Sequence, residues 1–189
     1  MSENMAKMEI QKANPWEDEL QSIRSGGQSI YFAQRLESHS EDIPLVIQAM
    51  KNVKATIAWR AGWVLDHFER NNNKTLQPYL NQLIEILLQT PHHGVQRHLT
   101  RILSNAPVSE LEDGRLVDAC FNWLLNPRTP IAVKANAMQI LSNLCATYPE
   151  LGQELKTVID DGYENGTAAF KSRGRKILER LNGKKARCF

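Results

Sequence analysis

The chain has 189 residues, of which 42% are hydrophobic and 23% are charged, and its formal net charge at pH 7 is +2. These values are ordinary for a soluble globular protein, and the length allows a substantial core. No apolar run approaches the roughly 20 residues that a transmembrane helix needs, which excludes a membrane-spanning class. Three cysteines and the lack of an apolar signal segment in residues 1–14 lead us to expect a cytoplasmic protein.

The N-terminal part of the chain is expected to be irregular. Residues 1–15 are polar and aperiodic, which predicts a mobile tail. Residues 16–38 are predicted to form a degenerate terminal hairpin in which Gly26-Gly27 separates two helices. The apolar residues that mark these helices are Trp16, Leu20 and Ile23, then Ile30, Ala33 and Leu36. Terminal repeats are atypical because one of their faces must meet water.

An apolar pattern with the spacing i, i+4, i+7, i+8, i+11 occurs four times after this segment. Its copies are Ile57, Ala61, Val64, Leu65, Phe68; Val95, Leu99, Ile102, Leu103, Ala106; Val133, Ala137, Ile140, Leu141, Leu144; and Phe170, Gly174, Ile177, Leu178, Leu181. The copies start 38, 38 and 37 residues apart. This spacing places each stripe on one face of a helix, and the constant period indicates stacked repeats.

Each stripe follows a second amphipathic stretch, so that each repeat is expected to be a helical hairpin. The preceding stretches contain Ile43, Val46, Ile47, Met50; Leu80, Leu83, Ile84, Leu87; Val117, Cys120, Phe121, Leu124; and Leu155, Val158, Ile159. We predict repeats at 41–70, 75–106, 109–145 and 149–182, within one domain over 16–182. Asn182-Gly183 is predicted to end the last helix, and 183–189 to form a basic tail. The fold class is therefore all-α, an α-α superhelix of about four to five hairpins.

The third stripe carries a resemblance to a known class. Val133-Lys134-x-x-Ala137-x-x-Ile140-Leu141-x-x-Leu144 resembles the second helix of a HEAT or armadillo-type repeat. The resemblance covers about residues 41–182. The chain is also similar to small bacterial helical-repeat proteins that contain segments like WRAGWVLDH and SRGRKIL. Some of those are labelled adenylosuccinate lyase, but the Ser-Ser-x-Met-Pro-x-Lys-x-Asn loop of that superfamily is missing here and the chain is too short for its helical core.

Motifs for catalysis or metal binding are missing from the sequence. It contains no P-loop, nucleophile elbow, Gly-rich dinucleotide loop or His-Glu-x-x-His. His92-His93 and His98 lie close in sequence, but no cysteine or carboxylate completes a metal-binding set. We expect no cofactor and no metal, and a non-catalytic protein is favoured over an enzyme. Cys120 lies on an apolar stripe and is interpreted as a small buried hydrophobe.

Polar residues recur at fixed places beside the stripes. Positions +3, +6 and +10, counted from the first residue of each stripe, lie along one flank of each second helix. They are Arg60, Trp63, His67; His98, Arg101, Asn105; Asn136, Gln139, Asn143; and Arg173, Lys176, Arg180. Because second helices line the concave face in HEAT-type architectures, the resemblance implies a ligand-binding surface here. The alternatives are that these residues hydrogen-bond adjacent repeats and that Trp63 packs in the core.

Charge is concentrated at the C-terminal end. Residues 168–189 contain eight basic side chains and one acidic side chain, Glu179. This end is expected either to attract an acidic partner or nucleic acid, or to cap the last helix in solvent.

The leading functional hypothesis is a non-catalytic scaffold that binds a protein or peptide on the surface lined by the second helices, without a membrane partner. The alternative is a nucleic-acid-binding protein that resembles the HEAT-like DNA glycosylases. The groove of that family is lined with Arg, Trp and Asp, and Arg60, Trp63 and Asp66 offer these residue types. The motif of that family does not match position by position, and the oligomeric state is not indicated.

Overall fold

Helices make up most of the described structure. The computed structural model describes residues 14–185, and this part of the chain forms ten α-helices without a strand. The first helices of the successive pairs are α1 (Pro15–Ser22), α3 (Ile43–Ala49), α5 (Leu80–Gln89), α7 (Gly114–Leu125) and α9 (Leu151–Tyr163). The second helices are α2 (Gly26–Ser38), α4 (Ala55–Leu76), α6 (His93–Leu103), α8 (Ile131–Leu144) and α10 (Ala168–Lys185). The all-α prediction is confirmed.

The helices form two layers. Each second helix packs against the next, so that α2, α4, α6, α8 and α10 form one continuous layer. The helices α3, α5, α7 and α9 each pack against the second helix of their own pair. The terminal helix α1 differs, because it packs mainly on α3 and α4. The first pair of helices therefore packs differently from the other four.

Hydrogen bonds from capping side chains explain where α1 and α2 begin. The Asn14 side chain accepts a hydrogen bond from the backbone N–H of Trp16, and Ser25 and Gln28 form a capping box at the start of α2. The prediction that Gly26-Gly27 breaks the chain between two helices was wrong in detail. α1 ends at Ser22, and the two glycines are the first residues of α2 because Ser25 caps that helix.

The predicted stripes form the core between the two layers. All five residues of the third stripe are completely buried, and those of the first are at most 3% exposed. Leu178 and Leu181 of the fourth stripe are half-buried, because no further helix within residues 14–185 covers α10. Ile30 contradicts its expected role, since it is 44% exposed on the outer side of the terminal helix α2. The buried Cys120 agrees with its prediction, and burial raises the pKa of its thiol.

Both ends of the chain extend beyond the described part. The predicted tails over 1–15 and 183–189 therefore lie largely outside the described residues. The prediction that the last helix ends at Asn182-Gly183 was wrong, because α10 continues through Gly183 to Lys185. None of the helices described over 14–185 has the length and hydropathy that a membrane span requires.

Candidate binding surface on the second helices

The rows at +3, +6 and +10 lie side by side on α4, α6, α8 and α10, except that Asn105 follows the end of α6, and they are joined by hydrogen bonds between successive repeats. Asn136 on α8 donates to Thr100 Oγ1 on α6 over 3.2 Å. Asn143 on α8 donates to the Ser104 carbonyl oxygen over 2.9 Å. These contacts agree with the interpretation of the rows as links between adjacent repeats.

The same linkage continues onto α10. Arg173 donates to Gln139 Oε1 over 2.8 Å, and Arg180 donates to Asn143 Oδ1 over 3.0 Å. Gln139 in turn donates to Asn143 Oδ1 over 2.9 Å. Lys176, which lies between the two arginines on α10, is exposed. The guanidinium groups at this end are therefore oriented by amide oxygens, whereas the Lys176 ammonium faces solvent.

At the other end of the array, Arg60 is bound to the terminal helix. Its Nη1 donates to the carbonyl oxygens of Leu20 and Gln21, over 3.2 and 2.8 Å, at the C-terminal end of α1. Carbonyl groups at a helix C-terminus lack partners within the helix, and a guanidinium satisfies them while it opposes the helix dipole. Arg60 therefore fixes α1 to the second-helix layer.

A buried polar chain connects α4 and α6. His98, which is 6% exposed, lies 2.9 Å from Asp66 Oδ2 through its Nδ1, and Trp59 donates its indole N–H to His98 Nε2 over 3.2 Å. Because an indole N–H can only donate, His98 Nε2 must accept, and the ring proton resides on Nδ1 and is donated to Asp66. Trp59 thus occupies the nitrogen that a catalytic histidine would present to a nucleophile.

Two arginines neutralise the buried carboxylates of α4. Arg101 lies 3.6 Å from Asp66 Oδ1 through Nε and 3.7 Å from Glu69 Oε2 through Nη1. Arg70 Nε is 3.9 Å from the same Asp66 oxygen, which has no hydrogen-bond partner. Burial raises the pKa of Glu69, and Arg101 and a hydrogen bond from Asn105 oppose this shift. The pairing keeps this cluster close to electrically neutral.

Stacked aromatic rings cover the cluster. The rings of Trp59 and Trp63 are 5.3 Å apart with an interplanar angle of 15°, and Trp63 also lies near the rings of His67 and His98. Trp63 is half-buried and packs against the core, which agrees with the core alternative for this residue. Sequence reasoning missed Trp59 and Glu69 because they are not at the three selected positions. The i, i+4 spacing of the two tryptophans was the available signal.

The two helix layers differ in charge. The five second helices contain fourteen basic and four acidic residues, whereas the five first helices contain two basic and eight acidic residues. The net charges of the layers are therefore +10 and −6. Half of these fourteen basic residues lie outside α10, and α4 and α6 supply five of them, Arg60, Arg70, Lys74, Arg97 and Arg101. The positive charge of the second-helix layer therefore does not come from α10 alone.

Metal binding finds no support in this part of the chain. Among the described residues, no group of three or more His, Cys, Asp or Glu side chains could hold a metal ion. His93 is exposed and His92 is half-buried at the start of α6, where both line a cleft of about 430 Å³ beside Trp59.

A comparison with family models decides the class of the repeat. The model described as HEAT repeat domain matches residues 16–181, which is most of the chain. The chain belongs to this HEAT repeat family. Its match begins at Trp16, so that the family assignment includes the terminal pair α1 and α2 as well as the four regular pairs. A search of curated proteins found no match to this HEAT repeat chain.

Proposed function

We propose that this HEAT repeat protein is a non-catalytic scaffold that holds an acidic segment of a protein partner on its second-helix layer. HEAT repeats commonly mediate protein interactions, which supports a binding role. The observation that carries the proposal is the charge difference between the layers, +10 against −6. Such an asymmetry attracts an anionic partner to one face and repels it from the other.

The distribution of polar groups along the layer favours a protein segment over nucleic acid. α8 carries a single basic residue, Lys134, and its ammonium group is bound to the Leu124 carbonyl oxygen over 2.9 Å. Its row residues are the amides Asn136, Gln139 and Asn143, between the arginines of α6 and α10. A nucleic acid presents one negative charge at each phosphate, whereas a protein segment can alternate acidic side chains with amides.

Binding of a fluorescein-labelled, glutamate-rich peptide, followed by fluorescence anisotropy, tests the proposal. Lys176→Glu reverses an exposed charge on the second-helix layer, and Lys156→Glu reverses the charge of a half-buried lysine on α9 of the first-helix layer. We expect Lys176→Glu to weaken the peptide affinity about fivefold and Lys156→Glu to change it less than about twofold. Equal effects of both variants, or no peptide binding at low salt, would contradict the proposal.

Nucleic-acid binding is the second candidate, because a net charge of +10 on one layer also suits a phosphate backbone. The three residues that suggested a glycosylase-like groove do not share an open surface. Arg60 binds α1, Trp63 lies against Trp59, and Asp66 is 5% exposed and bound to His98. A labelled single-stranded oligonucleotide in the same assay separates the candidates. Tighter binding of the oligonucleotide than of the peptide, with affinity falling steeply as salt rises, would favour nucleic acid.

A further inference from the structure

A basic cleft lies where α1 meets the beginning of α4. It has a volume of about 290 Å³ and is lined by Gln21, Arg24, Lys54, Thr56, Ile57 and Arg60. Three of these six side chains are cationic, and none is a carboxylate. Two surface arginines elsewhere in the structure contrast with this cleft, because Arg115 is paired with Glu85 and Asp113, and Arg35 with Glu19. The cleft is therefore a local concentration of positive charge without a built-in counter-charge.

The two arginines of the cleft are held in place by the same helix end. Arg24 Nη1 donates to the Gln21 carbonyl oxygen over 2.7 Å, and Arg60 Nη1 donates to that same oxygen over 2.8 Å. Both guanidinium groups use only Nη1 in their hydrogen bonds to α1, which leaves Nε and Nη2 of each as donors. A guanidinium fixed in this way loses little conformational freedom when it binds an oxyanion.

The electrostatics of the cleft favour an anion. Burial lowers the pKa of Arg60, and the charge of Arg24 lowers it further. Two like charges placed this close repel each other, and a bound anion would offset that repulsion. Lys54 precedes α4, whose first turn has no side-chain cap, so the partial positive charge of the helix N-terminus adds to the same cleft. The hydrogen bonds to α1 account for the orientation of the Nη1 groups of Arg24 and Arg60. They do not account for the third cation, Lys54, which also lines the cleft.

We propose that this cleft binds a phosphate group. A doubly charged tetrahedral oxyanion matches three cations, two of which are guanidinium groups, better than a single carboxylate does. The cleft lies beside the N-terminal part of α4 in the second-helix layer, and Arg60 belongs to both the cleft and the layer. The inference rests on the proposed function only for the carrier of the phosphate, which is either a phosphorylated side chain of the partner segment or a free phosphate ion.

Nuclear magnetic resonance of the full-length ¹⁵N-labelled protein tests the phosphate subsite directly. Sodium phosphate is titrated against sodium chloride at matched ionic strength. We expect phosphate-specific shifts in the amides of residues 54–57 and in the Nε–H signals of Arg24 and Arg60. Arg24 and Lys54 are exposed, and they are replaced in the two variants Arg24→Gln and Lys54→Gln. Lys51→Gln is the matched control, because Lys51 lies in the same loop as Lys54 but outside the cleft.

Arg24→Gln and Lys54→Gln are each expected to raise the phosphate dissociation constant about threefold to tenfold, with less than about twofold for Lys51→Gln. Equal shifts with chloride, or equal effects of all three variants, would overturn the proposal. A phosphoserine peptide and its unphosphorylated counterpart then identify the carrier. Tighter binding of the phosphopeptide than of inorganic phosphate indicates a partner segment, and equal affinity indicates a free ion. Failure of the glutamate-rich peptide to bind would refute the scaffold proposal without affecting these measurements.

Discussion

Leu141 provides a direct test of the repeat register. It is completely buried in α8, which packs against α6, α7, α9 and α10. Removal of a fully buried leucine side chain loses about 1.5–3 kcal/mol of transfer free energy. The cavity adds about 24 cal/mol per Å³, so that Leu141→Ala is expected to lower the free energy of unfolding by about 3–5 kcal/mol. Leu141→Asp buries an unpaired charge as well, which exceeds the margin of a domain that is stable by roughly 5–15 kcal/mol.

Urea denaturation followed by circular dichroism at 222 nm measures both variants. Leu125→Ala is the control, because Leu125 is 64% exposed at the end of α7 and its loss should change the free energy of unfolding by less than about 0.5 kcal/mol. We expect Leu141→Asp to show no cooperative transition. A Leu141→Ala protein as stable as Leu125→Ala would refute the register and the assignment of Leu141 to the central stripe.

Two further predictions concern α4 and α6. A Cβ at Gly94 would lie 2.6 Å from Trp59 Cδ1, so Gly94→Ala should destabilise by about 1–3 kcal/mol, whereas Gly183→Ala, whose Cβ meets nothing within 4 Å, should be neutral or stabilise by up to about 1 kcal/mol. Thermal unfolding compares them, and equal melting temperatures would disprove the Trp59 contact. Burial lowers the pKa of His67 below 6.5, and the positive charge of Arg70 lowers it further. The stabilising contribution of the neutral imidazole is therefore fully present above pH 6.5 and is lost as the pH falls from 6.5 through the lowered pKa. Between pH 7.5 and pH 5.5, the free energy of unfolding measured by urea titration should fall less in His67→Gln than in the wild-type protein. An equal fall in both proteins would contradict this assignment.

The architecture could be predicted because its determinants are local and repeated. The spacing within each stripe defines which face of a helix is apolar, and the 37–38-residue period shows that the same unit recurs. Helix ends were predicted less well, because they depend on particular caps. Ser25 starts α2 earlier than a glycine pair suggests, and α10 continues through Gly183 because a single glycine costs only about 1 kcal/mol in a helix.

The candidate surface could be predicted only in part. The period predicted which polar residues of successive repeats are neighbours, but it could not show how deeply the next repeat covers them. His98 is the example, because Gly62 on α4 lets α6 approach so closely that a Cβ at Gly62 would lie 3.3 Å from the His98 Cβ. A position expected on a polar flank is thereby buried and paired with Asp66. Such burial depends on the combination of small and large residues across two helices, which periodicity does not record.

The hydrogen bonds between successive repeats also bear on how the chain folds. Those from Arg60, Asn136, Asn143 and Arg180 each join residues 36–40 positions apart. The loop-closure entropy grows only with the logarithm of loop length, so every added repeat has nearly the same closure cost. Growth of the folded region by one repeat is then an equivalent step anywhere in the array. Folding can begin at any pair of neighbouring hairpins and spread in both directions, without a unique nucleus.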